Sequence, residues 1–182
     1  NGGQGGDGQI AKNVTMQFTP GWDWIQPVRD RNTGIWDEVS ITTTGSVKVE
    51  HPYVITKVPG ARIPSGNQKD ALVKATVELE NTSAHTQSGS VVCETDGKRL
   101  TQTVVLSPGE HKTVTFEEIT IKNPRLWWPN GIGRQELYDM NIFFNQNDGI
   151  SDSHSTRYGI REITSEKDPT TGGGKFYVNG QP

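Results

Sequence analysis

Residues 71–81, ALVKATVELEN, alternate with a strict two-residue period: Val73, Ala75, Val77 and Leu79 share one face, and Lys74, Thr76, Glu78 and Glu80 share the other. Side chains of an extended chain point alternately to opposite sides, so this pattern specifies a strand with one buried and one wetted face. Such a strand needs neighbours in its own sheet and a second layer over its apolar side. The chain offers both. Strand-like segments recur at 46–58, 88–95, 99–106, 111–121, 136–144 and 153–163, separated by turn chemistry such as Asp96-Gly97, Ser107-Pro108-Gly109-Glu110 and Asn147-Asp148-Gly149. Seven segments within about 120 residues predict an all-β fold, an immunoglobulin-like β-sandwich of about seven antiparallel strands over residues 44–165. In HKTVTFEEITI the apolar set changes phase between Phe116 and Ile119, which predicts a bulge.

The two ends follow different rules. Residues 1–43 open on NGGQGGDG and contain two short β-like pieces, MQFTPGWDW and TGIWDEVSI, too few strands to close a core. They read as the C-terminal end of a preceding domain. Residues 166–182 read as a flexible linker, DPTTGGG, then one strand and an Asn179-Gly180 turn, the start of a following domain.

Composition narrows the function. The formal net charge is −3, and no run of five or more basic residues occurs, so neither a nucleic-acid footprint nor an anionic-membrane patch is expected. Uninterrupted apolar runs are only a few residues long, so no membrane span is expected. Cys93 is the single cysteine and alternates in phase with Val91, which predicts an inert core thiol.

Motifs for catalysis and cofactors are weak. Gly3-Gln4-Gly5-Gly6-Asp7-Gly8 has the form GxGxxG, but no strand precedes it and no helix pattern follows. The histidines at 51, 85, 111 and 154 have no metal-ligand spacing. NQNDGISD is oxygen-rich, yet it lacks the terminal glutamate of a calcium loop, and a hairpin turn accounts for it. No G-x-S-x-G elbow is present. No metal, no cofactor and no catalytic residue is therefore assigned. Two N-x-[ST] strings begin at Asn13 and Asn81.

Aromatic and charged residues concentrate instead in QFTPGWDWIQPVRDRNTGIWDEVSI, LWWPNGIGRQELYDM, and YGIREI with FYVNGQP. In that order these stretches resemble three junctions of glycoside hydrolase family 2, in its β-mannosidase and exo-β-glucosaminidase branch, and are most similar to the mannosylglycoprotein endo-β-mannosidase type. The resemblance implies the end of a sugar-binding-type sandwich, then an immunoglobulin-like domain, then the start of a (β/α)8 catalytic barrel. It implies retaining hydrolysis by two barrel glutamates beyond Pro182, held about 5–5.5 Å apart. The segment itself would then be a non-catalytic scaffold, with the carbohydrate substrate and the adjoining barrel and sugar-binding-type domains as partners only in the intact enzyme. A periplasmic or secreted setting follows only from the glycans such enzymes degrade.

Two groups of residues carry the site expectations. By position in the family's loop toward the barrel mouth, Asp23, Trp24, Asp30 and Arg31 are candidates for holding sugar, an aromatic ring stacking on a pyranose and a carboxylate accepting from its hydroxyls. An edge loop folded back on its own domain is the simpler alternative. Trp127, Trp128, Asn130 and Arg161 are candidates for a domain interface. One tryptophan would plug the sandwich while the other docks the barrel, and the residues allow either assignment. An autonomous carbohydrate-binding module and a cell-surface adhesion repeat are the alternative functions.

Overall fold

The structure, a computed structural model, describes residue 35, residues 37–147 and residues 149–182. The chain divides into two compact units, residues 1–42 and 43–182. In the first unit, Ile35, Val39 and Ile41 are exposed and residues 37–41 form no strand, unlike the short β piece expected there. No hydrogen-bonding neighbour is present for it among the described residues.

The second unit is the β-sandwich. One sheet contains β1 (Val47–Lys57), β2 (Ala71–Asn81), β5 (His111–Thr115) and β6 (Ile119–Ile121), with β2 central and paired to the other three. The facing sheet runs β4 (Lys98–Leu106), β3 (Gln87–Thr95), β7 (Tyr138–Gln146), β8 (Gly149–Tyr158). All pairings in both sheets are antiparallel. Among the described residues there is no helix. The alternation of β2 is realised along its whole length: Val73, Ala75, Val77 and Leu79 are buried against Val91, Cys93, Met140, Ile142 and Phe144 of the other sheet.

Three single-residue insertions decide which side chains face out. Thr76 pairs with Thr115 and Val73 with Ile119, so three steps on β2 match four steps across β5 and β6. The extra residue is the expected bulge, and it lets both Phe116 and Ile119 reach the core. A second bulge lies in β1 between Glu50 and Tyr53, where His51 takes φ 49°. Before it, Val47 and Val49 point inward. After it the phase is inverted, so Tyr53 and Ile55 point outward. The third lies in β8 opposite Phe144 and Asn145. There Ser151 leaves the ladder and its Oγ both accepts from the Val47 amide and donates to the Val47 carbonyl, each at 2.9 Å. With the Asp152 carboxylate accepting from Val49 N at 2.8 Å, this closes the β1–β8 edge between the sheets.

Asn81, the acceptor of one N-x-[ST] string, is fully buried. Its amide nitrogen lies 2.8–3.1 Å from the carbonyls of His85, Leu106 and Ser107. The side chain ties β2 to the β4–β5 turn and is sealed from modification in the folded sandwich.

The last part of the chain departs from the expected layout. The strand expected at 153–163 begins earlier and ends at Tyr158. Residues read above as a linker form the connection of a separate antiparallel hairpin, β9 (Ile163–Lys167) with β10 (Gly174–Val178). Asp168 orders that connection by accepting from the amides of Thr170 and Thr171 and by pairing with Lys175 at 2.8 Å.

Candidate functional site

Adjacent residues of an extended chain face opposite ways, and the paired tryptophans use this directly. Leu126 and Trp127 are held in extended form by bridges to Ile160 and Gln135, and Trp127 N donates to Ile160 O at 2.9 Å. Trp128 N donates to Arg134 O at 2.9 Å, across a turn closed by Pro129 O with the amides of Ile132 and Gly133. Trp128 points into the sandwich and is 2% exposed. Trp127 points away from the core and is half-buried.

Each ring is seated on a glycine. A Cβ added at Gly133 would stand 2.9 Å from Trp128 Cβ, and one added at Gly159 would stand 2.8 Å from Trp127 Cβ. No side chain fits at either position while the rings stay in place. The Arg161 guanidinium lies 4.2 Å from the Trp127 ring centroid, a cation–π stack. Trp127 and Arg161 are thus brought together, Trp128 belongs to the core, and Asn130 is exposed on the turn beside them. Asp23, Trp24, Asp30 and Arg31 lie outside the described residues.

Around Trp127 runs an open groove of about 640 Å³, lined among others by Tyr53, Ile55, Leu137, Arg161 and Ile163. Four of these are large apolar side chains that remain exposed: Tyr53, Ile55, Leu137 and Ile163. Tyr53 and Ile55 reach the groove because of the β1 bulge, which alternation counting along 46–58 does not register. Pro52 is the signal in the sequence: it has no amide to donate, and ladders carry proline at irregularities.

Deeper, Tyr138 and Tyr158 stack at 5.7 Å, and the Tyr158 hydroxyl bonds Thr95 Oγ1 at 2.9 Å. Burial pushes the Tyr158 phenol up to about 12, so it stays protonated. Burial likewise pushes the Cys93 thiol up to about 11, the state of an unreactive core cysteine. Two carboxylates are shifted downward: Glu80 chiefly through its hydrogen bond from Lys48, and Asp168 chiefly through that from Lys175. Both shifts favour the ionised form, the wrong direction for a general acid.

A family model for glycosyl hydrolases family 2 matches residues 40–161. The chain belongs to glycosyl hydrolase family 2. It is 40% identical over 191 aligned residues to a mannosylglycoprotein endo-β-mannosidase of Lilium longiflorum, a match covering 99% of this chain and 19% of that protein. An exo-β-D-glucosaminidase of Amycolatopsis orientalis is 34% identical, over 89% of this chain and 15% of the relative. The crystal structure of the Amycolatopsis orientalis exo-chitosanase superposes with a TM-score of 0.69 at 30% identity, over 76% of this chain and 16% of that one. The chain spans less than a fifth of the length of these curated relatives. The resemblance carried by LWWPNGIGRQELYDM and its companion stretches thus holds at the level of the family and of its mannosidase and glucosaminidase members.

Proposed function

We propose that this segment is the non-catalytic, positioning sandwich of a retaining family 2 glycoside hydrolase acting on a β-mannoside or β-glucosaminide linkage. It docks the catalytic domain of the same polypeptide through the Trp127 groove. The observation that carries this reading is the groove itself: a half-buried tryptophan among four exposed apolar side chains, at the end of the sandwich that also bears the β9–β10 hairpin. Contiguous exposed apolar surface of this kind marks a surface that another domain covers. The length of the relatives, several times that of this chain, supports a further domain as the occupant. The relatives' printed activities support the linkage class.

An autonomous sugar-binding module would need a ring with a free face for a pyranose to stack on. Here Arg161 lies over the Trp127 ring and the Gly159 backbone packs against its Cβ–Cγ end. A sugar site shared between domains also loses most of its convergent groups when one domain stands alone. The 182-residue chain is accordingly expected to hydrolyse no mannoside or glucosaminide and to give no saturable heat with millimolar mannose, glucosamine or their oligomers. In the intact enzyme Trp127→Ala should weaken docking by about 2 kcal/mol or more, as for a buried aromatic hot spot. Saturable binding by the isolated chain, or an intact Trp127→Ala enzyme with unchanged domain-dissociation and unfolding profiles, would overturn the docking function.

A further inference from the structure

Asn179 is a surface-turn residue by sequence, yet it is fully buried, and all four of its polar groups are engaged. Its backbone N donates to Glu162 O at 2.8 Å, and its carbonyl accepts from Arg62 N at 2.9 Å. Its side-chain Oδ1 accepts from Glu162 N at 2.9 Å, and Nδ2 donates to Trp127 O at 3.0 Å. This one residue therefore joins three segments: its side chain ties the tryptophan loop to the chain leaving β8, and its backbone carbonyl holds the β1–β2 connection. Each joined segment is itself braced. The Glu162 carboxylate accepts from Val58 N at 2.9 Å, and the buried Arg62 guanidinium donates to the carbonyls of Pro59, Lys69 and Asp70. Gln181 Nε2 donates to Arg62 O at 2.6 Å.

The backbone permits little else at this position. Asn179 and Gly180 take φ 52° and 74°, the pair of left-handed conformations of a type I′ turn, closed by reciprocal bonds between Val178 and Gln181. Asparagine tolerates that conformation better than other residues with side chains. A Cβ at Gly180 would stand 2.6 Å from Ala61 Cα. The hairpin has little other hold on the sandwich: β9 is exposed throughout, and β10 is half-buried only at Tyr177 and Val178. Its attachment is concentrated in this polar joint.

We propose that Asn179 is a positioning residue: a joint that fixes the direction of the chain after β10 relative to the Trp127 docking groove, and through it the seat of the catalytic domain. The proposal rests on the docking function above. It assigns the orientation of that interface to a buried amide, while the apolar groove supplies its contact area. Asn179→Ala removes both side-chain bonds. Asn179→Asp keeps an acceptor and the turn conformation but sets a buried carboxylate against Trp127 O in place of the Nδ2–H donor.

Two measurements separate the joint from the interface. In the 182-residue chain, Asn179→Ala is expected to speed native-state amide exchange at Glu162, Arg62 and Gln181 by about tenfold or more, the effect of leaving a buried polar group unpaired. Exchange at Val92 and Ile142 should be unchanged, and Asn179→Asp, which buries an unpaired carboxylate against Trp127 O, should speed exchange at least as much as Ala. Exchange within twofold of wild type at Glu162, Arg62 and Gln181 would overturn the joint, whatever the groove does. In the intact enzyme, kcat per folded molecule is expected to fall about tenfold to a hundredfold for Asn179→Ala, and no less for Asn179→Asp, because small misplacements of a reacting geometry are costly. Unchanged kcat per folded molecule, with the exchange effect present, would make the joint merely structural and overturn the positioning role. Trp127→Ala in the same protein reports on the docking reading separately.

Discussion

The middle of the sandwich and its Trp127 end obey opposite burial rules. Along their central stretches, β2, β3 and β7 place apolar side chains inside, with buried polar residues only at the strand ends, Asn81 and Thr95. At the Trp127 end, Arg62 and Asn179 are buried while Tyr53, Ile55, Leu137 and Ile163 face solvent. The first region buries apolar area to hold itself together. The second satisfies its buried polar groups one by one and leaves apolar area uncovered, the combination on which the proposed docking role rests. The boundary between them is one residue wide on either side: the bulge at His51 turns β1 outward, and the step from Trp128 to Trp127 crosses from core to groove.

The sharpest way to break this contrast is to truncate the two tryptophans in turn. Trp128→Ala should cost about 3–5 kcal/mol in denaturant unfolding of the 182-residue chain, as for other large-to-small core changes. Trp127→Ala in the same chain should cost far less, because part of its ring already meets water. Equal losses would erase the distinction between the regions.

A smaller effect tests whether a buried amide matters at the other end of β2 as it does beside Trp127. Asn81→Ala should destabilise the sandwich by about 1–3 kcal/mol, since the carbonyls of His85, Leu106 and Ser107 lose their shared donor. The folded protein made in a glycosylating host should carry no glycan at Asn81 by peptide mass spectrometry. A modified yet natively folded chain would contradict the sealed side chain.

The smallest expected effect concerns the hairpin alone. Hydrogen bonding from Lys175, then from the backbone of Thr171 and Thr170, holds the Asp168 carboxyl below the usual carboxylate range. A depressed folded pKa gives stability that is present above the unfolded value and is lost as pH falls through the folded one. Acidification should thus loosen the 168–175 connection at a pH below the ordinary aspartate range, seen as faster exchange corrected for intrinsic rate at Gly172 and Lys175. Asp168→Asn should abolish the pH dependence.

Much of the middle region was legible from residue order. Alternation in 71–81, 88–95 and 136–144 located three core strands, and the phase change between Phe116 and Ile119 located a bulge. Asn179-Gly180 and the Asp96-Gly97 pair announced turns through their tolerance of positive φ. The Trp127 end was less legible. Of the four candidate interface residues, Trp127 and Arg161 meet, Trp128 lies in the core and Asn130 on the exposed turn. The exposure of Tyr53 and Ile55 and the burial of Asn179 are not legible locally, because alternation assumes an unbroken ladder for the first two and turn chemistry implies a solvated position for the third.

Residue order by itself determined the all-β class, the antiparallel strands and the turns, because period and φ preference act over a few neighbouring residues. It also carried the family, to which a relative at 40% identity over 99% of the chain attests. Only the tertiary structure decided which tryptophan is core, where β1 changes face, and what Asn179 holds. Each of those depends on partners far away along the chain: Gly159 for Trp127, Glu78 and Thr76 for the β1 register, and Arg62, Trp127 and Glu162 for Asn179. Side-chain environment is set by which segments meet in space, and no local period encodes that.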